Sequence, residues 1–470
     1  MRFSCSSCSF SLFISLLLLS LSPNPIPFIS SAHATKLNKN LSSTTMLPSE
    51  AEALFKIMDS MSADKSWRIS YPNPCNTGSS WPGIECKTAQ DDHLHVSRLD
   101  FGTSPYPTCK GTATFPHEIF SLPYLQSVVF FKCFTRTKTT LSVSPNRLSM
   151  SLLEQLSLRS NPALVGPIPP QISSLKSLQI LTLSQNVLTG HIPIQIFGMN
   201  SLVHLDLSYN MLTGAIPCQV ENLKNLVGLD LSFNSLTGYI PHTIGQLGLL
   251  QKLDLSSNSL TGGIPESIET LNSLAFMALS NNKLSGNFPK GLEKLQSLQY
   301  LIMDDNPMYI PLPTQLGKLV KLQELRLANS GYSGTIPSGI SQLLNLSTLS
   351  LQNNRLTGEI PVGLGSLSHI YHLNLSRNLL GGVVPLDPSF LKRLGRNLDL
   401  SGNHGLCLSP SEAAYSVKIG IGVSVCGSNK NASFIQPPQN KSQAPCGFSK
   451  PFFLLGALIV HGLHQAMALP

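Results

Sequence analysis

The chain has 470 residues, a formal net charge of +8, and 12% charged against 42% hydrophobic residues. Its lysines and arginines are scattered, with no basic run of five, which excludes a nucleic-acid footprint and reads as a solvated outer face. Length alone predicts two or three domains, but a repeat through most of the chain overrides that prior.

Residues 1–34 read as a secretory signal: Arg2 is the positive end, residues 10–21 are the apolar core, and Ala32-His33-Ala34 is a small-x-small cleavage pattern. The mature chain is then expected to start at Thr35. Export implies an oxidising compartment in which disulfides persist. Five glycosylation sequons, at Asn40, Asn345, Asn374, Asn431 and Asn440, agree with that. Residues 35–94 are predicted to form an amino-terminal cap. Ser49 and Glu52 read as a capping box, followed by Leu54, Ile57, Met58 and Met61 at helical spacing. Cys75 and Cys86 are expected to form a disulfide that closes this cap. Trp81 is expected to cover the apolar face of the first coil, a ligand contact being its alternative role.

Residues 95–403 carry the repeat, irregular over 95–152 and regular over 153–403. Asparagines recur every 24 residues at Asn186, Asn210, Asn234, Asn258, Asn282 and Asn306, then at Asn354 and Asn378, with Ser330 in the one gap. Asn161 and Asn403 flank the run at a spacing of 25. Each follows a Leu-x-x-Leu-x-Leu-x-x-Asn pattern, the signature of a leucine-rich repeat. No coil can bury its own apolar face, so the leucines must bury against neighbouring coils. The alternating Leu-x-Leu segment reads as a strand, and stacked coils give an α/β solenoid with a parallel sheet. Asparagine, with donors and an acceptor, suits the turn where backbone groups would otherwise be buried unpaired. In the irregular part, Cys109 and Cys133 form either a second disulfide or two buried thiols, and residues 134–150 read as a surface insertion.

Residues 404–427 are expected to close the far end through a Cys407–Cys426 disulfide. Cys218 then remains as a free thiol or a crosslink to a partner. Residues 428–450, rich in Asn, Ser, Gln, Pro and Lys, read as a flexible stalk. Residues 451–470 are apolar but interrupted by His461, His464 and Gln465. They suit a glycolipid-anchor signal better than a membrane span, with Ser442 as the attachment site and Cys446 as second choice.

Neither a kinase Gly-rich loop nor a His-Arg-Asp or His-Glu-x-x-His motif is present, so no enzyme, cofactor or metal site is expected. The column Asp206, Asp230, Asp254 puts carboxylates on one sheet face, an arrangement open to acid–base work but ordinary for this repeat. Outward positions depart from the generic pattern in the coils around Asn306 and Ser330. These coils place Tyr300, Ile302, Asp304, Asp305, Glu324, Arg326 and Asn329 on adjacent strands, and they lose the usual Leu-Thr-Gly element. Aromatic residues beside arginine make interface hot spots, so this face is the candidate site for a partner.

The Leu-Thr-Gly-x-Ile-Pro element at residues 188–193 and 356–361, and the Cys75…Trp81…Cys86 cap, resemble plant extracellular leucine-rich-repeat proteins. Residues 97–102, 303–308 and 329–334 look closest to the Piriformospora indica-insensitive protein group, which is similar to TOO MANY MOUTHS. The resemblance covers roughly residues 50–427. It implies a right-handed superhelix with a concave sheet and disulfide-closed caps, reached through the secretory pathway, at the outer leaflet of the plasma membrane or in the apoplast. It further implies a receptor-like protein without a kinase. Such a protein binds an extracellular peptide or protein, or acts as co-receptor with a leucine-rich-repeat receptor kinase, in plant signalling, development or response to microbes. The other function it allows is inhibition of microbial wall-degrading enzymes, as in the polygalacturonase inhibitors.

Overall fold

The computed structural model describes residues 45–62, 67–75, 82–102, 107–143, 151–410 and 422–427. The signal and anchor segments, the stalk, Trp81, Asn40, Asn431, Asn440 and Ser442 lie outside these residues. Among the described residues, no helix is long and apolar enough to cross a membrane. The chain divides into two compact units, residues 1–310 with 319–330, and residues 311–318 with 331–470.

In the first unit each regular coil begins with a three-residue strand whose central leucine points inward. Leu205, Leu229 and Leu253 pair in register as parallel neighbours, continued by Met277, Leu301 and Leu325. Each is essentially inaccessible to water. Burying a leucine of this kind is worth about 1.5–3 kcal/mol, so the sheet is held by its inner face and its outer face is left to vary. After the strand the chain turns through one left-handed residue, meets the asparagine, and enters a short second strand such as Val187–His191 or Met211–Ala215. Gly190 and Gly214 sit there at φ 80° and 81°, a conformation that side chains rarely adopt. The following proline caps a single 3-10 turn, such as Ile194–Gly198 after Pro193. The helical side of the solenoid is therefore 3-10 rather than α.

The asparagines join the coils. The Asn234 amide nitrogen donates to the carbonyls of Leu231 and Ser232 in its own coil and Leu207 in the preceding one, at 3.0–3.1 Å. Its oxygen accepts the Leu212 amide of that preceding coil at 3.0 Å. Asn210, Asn258, Asn282 and Asn306 repeat the arrangement. At the irregular end, Asn161 is inaccessible to water and accepts the amides of both Cys133 and Phe134. Ser330 keeps part of this bridge: its hydroxyl accepts the Asn306 amide of the preceding coil at 3.2 Å and reaches the carbonyls of Ala328 at 2.8 Å and Met303 at 3.3 Å, while the Met308 amide turns to the Ser330 backbone carbonyl at 3.0 Å.

The amino-terminal cap differs from the sequence reading in two ways. The helix Pro48–Met61 starts with proline in its first turn, and Leu47 is its N-cap without a side-chain bond. The expected Ser49–Glu52 capping box is absent, because proline's fixed φ already suits the first turn and needs no cap. Glu50 is turned inward instead, accepting the Val96 amide at 2.9 Å and pairing with His95 at 2.6 Å. The second difference is a strand, Ile84–Thr88, that runs antiparallel to Leu94–Phe101 and closes the sheet edge. Disulfides join Cys75 to Cys86 and Cys109 to Cys133. Leu54, Ile57, Met58 and Met61 face the core.

The second unit continues the same coil grammar. Its strands Thr348–Ser350, His372–Asn374 and Leu398–Asp399 are parallel neighbours, with a second sheet from Ser333–Thr335 to Ser424–Val425. Asn354 accepts the amide of Tyr332, Asn378 that of Leu356, and Asn403 that of Leu380. Asp387 caps the α-helix Pro388–Leu394 by accepting the Phe390 amide. A disulfide links Cys407 to Cys426. Asn345 is exposed, and Asn374 stands on the outer sheet face with its oxygen accepting from Ser376.

Truncating one rung should show what the asparagines contribute. Asn234→Ala leaves buried carbonyls and the Leu212 amide unpaired and should cost about 1–3 kcal/mol in denaturant unfolding. Gln251→Ala, at an exposed position, should change stability little.

Candidate functional site

The sheet register of the first unit arranges its outward side chains in columns. The strand-start column is His204, Gly228, Lys252, Phe276, Tyr300, Glu324. The middle column is Thr182, Asp206, Asp230, Asp254, Ala278, Ile302, Arg326. The left-handed turn position, one residue before each rung, reads Gln185, Tyr209, Phe233, Ser257, Asn281, Asp305, Asn329.

All seven candidate residues fall on or beside the adjacent strands Tyr300–Ile302 and Glu324–Arg326. Asp304, Arg326 and Glu324 among them form a charged network. The Arg326 guanidinium donates through Nε and Nη2 to one oxygen of Asp304, both at 2.8 Å. The other Asp304 oxygen accepts the Ala328 amide at 2.7 Å. Glu324 lies 3.8 Å from Arg326 on its other side. Burial pushes the Asp304 carboxyl above its usual range, against the pull of Arg326, and burial likewise raises Glu324. Only Arg326 of the three is substantially exposed, at 33% of its side chain. Asp305 and Asn329, both exposed, are joined by a 2.8 Å hydrogen bond. The half-buried Tyr300 donates to Gln323 at 3.1 Å, and burial, then the Glu324 charge, raises its phenol. Arg326 is thus not a free anchor: it is a positive centre fixed by two carboxylates that water barely reaches.

Two features were not singled out from the sequence. Phe276 lies beside Tyr300, ring centroids 5.9 Å apart, and extends the aromatic part of the face. It occupies the strand-start column, one register step before Tyr300, where reading down that column would have found it. Tyr209 and Phe233 occupy the left-handed turn position and stack face to face, 4.1 Å apart at 10°.

The acidic column has its own electrostatics. Lys252 bonds Asp230 at 2.8 Å. Burial and then the Asp230 charge raise Asp206, and the same causes raise Asp254 to about 7. Burial and Lys252 lower His204. Among the described residues, no group of three His, Cys, Asp or Glu is arranged to hold a metal ion. Cys218 is an exposed free thiol.

Leucine-rich-repeat family models match residues 151–212 and 249–308, and further single repeats at 225–247 and 345–367. The chain is a leucine-rich-repeat protein. It is 64% identical over 148 residues to Receptor like protein 29 of Arabidopsis thaliana, covering 32% of each chain. It is 38% identical over 138 residues to Protein TOO MANY MOUTHS of the same plant, covering 28% of this chain and 27% of that protein. The matched stretch thus spans about a third or less of these curated relatives. The crystal structure of PEPR1-AtPEP1 superposes with a TM-score of 0.65 at 30% identity, over 77% of this chain and 49% of that one. Within the repeat class, the proteins it is similar to are plant receptor-like proteins and receptors.

The network gives a testable asymmetry. Arg326→Ala strands the buried Asp304 carboxylate and should lower stability by about 1–3 kcal/mol. Asp304→Asn in the same background should recover part of that loss in thermal unfolding, because the uncompensated charge is gone.

Proposed function

We propose that the protein binds an extracellular peptide or protein at the face around Tyr300 and Arg326 and relays that event through a leucine-rich-repeat receptor kinase. The observation carrying this reading is the departure of two neighbouring coils from the generic repeat, where the half-buried Tyr300, backed by the buried Phe276 of the coil before, stands beside the Asp304–Arg326–Glu324 network. A rigid aromatic surface next to a fixed guanidinium suits a ligand with an apolar side chain and a carboxylate or carbonyl. The repeat class supports it, as does the likeness to a receptor solved with its peptide, PEPR1-AtPEP1. The protein works at the cell surface after export, residues 1–34 directing secretion and residues 451–470 an anchor attached at Ser442. Residues 35–94 and 404–427 cap the solenoid of 95–403, and residues 428–442, the part of the 428–450 stalk kept when the anchor is attached at Ser442, space it from the membrane. Neither strand of the Tyr300 face carries a sequon; Asn374, if glycosylated, would limit the site at one end.

Affinity capture with the secreted ectodomain from plant extracellular extracts tests the reading. Capture of a receptor kinase or a secreted peptide is the expected result, and Tyr300→Ala should reduce it at least fivefold with the unfolding midpoint unchanged. Capture of a pectin-degrading enzyme in its place would assign the protein to the inhibitors.

A further inference from the structure

The turn position before each rung is left-handed in every regular coil. Asn281, Asp305, Asn329 and Asn353 fill it in later coils, and short polar side chains of this kind tolerate it best. Tyr209 and Phe233 hold the same conformation at φ 53° and 51° and are the aromatic residues at this turn, where Gln185 and Arg377 are the other long side chains. Their rings are 41% and 42% exposed, so the core gains little from them. Strain accepted for half-solvated aromatic rings points to a use other than folding.

The rings stack on each other, and the next coil in their column carries Ser257. Phe233 stays 42% exposed, and Ser257, next in the column, has no ring to extend the stack. Three residues earlier on the same three coils stand Asp206, Asp230 and Asp254, at most about 10 Å away along the chain. Lys252 pairs with Asp230. Among the described residues, Asp206 and Asp254 have no ion pair, so the patch carries more carboxylates than cations.

We propose that Tyr209, Phe233 and the column Asp206, Asp230, Asp254 form a binding site for an extended, arginine-containing peptide, which meets the Tyr300 face at Phe276 and uses neither Tyr300 nor Arg326. A guanidinium is planar, continues the stack on Phe233 above Ser257, and gains cation–π attraction there. A second basic residue three positions along an extended peptide, about 10 Å away, reaches the carboxylate column. Lysine, a compact ammonium, cannot continue the stack and should bind less well.

The charges also set a pH dependence. Asp254 is faced by Asp230 from one neighbouring strand, by Lys252 on its own strand, and by the uncharged Phe276 and Ala278 from the other. Burial and Asp230 hold its pKa near 7, so at pH 6 it is mostly protonated and must lose that proton to meet a cation. His204, the remaining titratable group on these strands, gains charge only as pH falls, which also opposes a cation. Affinity therefore rises with pH through this window, about tenfold between pH 6 and 8 for one such carboxylate.

The test uses calorimetric titration of the secreted protein with a nine-residue serine–glycine peptide carrying two arginines three residues apart. Lysine and glutamate counterparts and a neutral cello-oligosaccharide serve as comparisons. The arginine peptide should bind, at least threefold more tightly than the lysine form and about tenfold more tightly at pH 8 than at pH 6; the glutamate form should not. Phe233→Asn, which installs the residue found at this turn in other coils, should keep the wild-type unfolding midpoint and weaken binding at least fivefold. Asp254→Asn, which leaves the turn untouched, should abolish most of the pH dependence, and Tyr300→Ala should leave affinity unchanged. Unaltered affinity in folded Phe233→Asn protein, equal binding of the arginine and glutamate peptides, or binding of the oligosaccharide alone would overturn the proposal.

Discussion

A carboxamide that reaches two coils at once is what the structure rests on. Each coil turns away from its strand at a point where several carbonyls have lost their sheet partners and water is excluded. The nitrogen of a rung such as Asn258 meets the carbonyls of Leu231, Leu255 and Ser256, and its oxygen takes the Leu236 amide of the coil before. No other side chain of that size offers two donors and an acceptor in one plane. Leucine burial drives the coils together, but it is non-directional and would tolerate slippage. The rung supplies the register, and the register creates the outward columns. Where serine replaces the asparagine at 330, its hydroxyl still meets Asn306 and Met303 of the coil before, and only the Met308 amide is left to a backbone carbonyl; that coil carries part of the face where the outward residues change character.

Because the inner face carries the fold, the outer face carries the differences between coils. Two stretches stand out for opposite reasons. Around Arg326 the charges are satisfied internally, so the face is rigid and presents one held cation beside aromatic rings. Around Asp254 the carboxylates are crowded by burial and by one another, and the protein leaves them short of cations. The first is preorganised; the second is poised to gain from whatever neutralises it.

Much of this was readable from the chain. A 24-residue period with fixed leucines and asparagines dictates the coil, the parallel sheet and the columns, because period alone decides which side chains become neighbours. What period cannot tell is how neighbours interact. The seven candidate residues do share adjacent strands, yet the pairing of Arg326 with Asp304, one strand over, depends on side-chain reach and burial that only coordinates supply. The helix start was misread because Ser49 and Glu52 fit a capping pattern, while Pro48 had already fixed the first turn and Glu50 had a stronger partner in His95. Tyr209 and Phe233 escaped notice because the strand positions were compared and the turn position was not. The signal was present as two aromatic residues in a column held in the other regular coils by Gln, Ser, Asn, Asp, Arg and Gly.

Site-resolved hydrogen exchange tests the central claim most directly, comparing wild-type protein with Asn258→Ala. If the rung holds neighbouring coils together, the Leu236 amide should exchange at least about tenfold faster in the variant while Leu284, bonded to Asn306, keeps its protection. Unchanged protection at Leu236 would mean that leucine packing alone sets the register and that the asparagines are passengers.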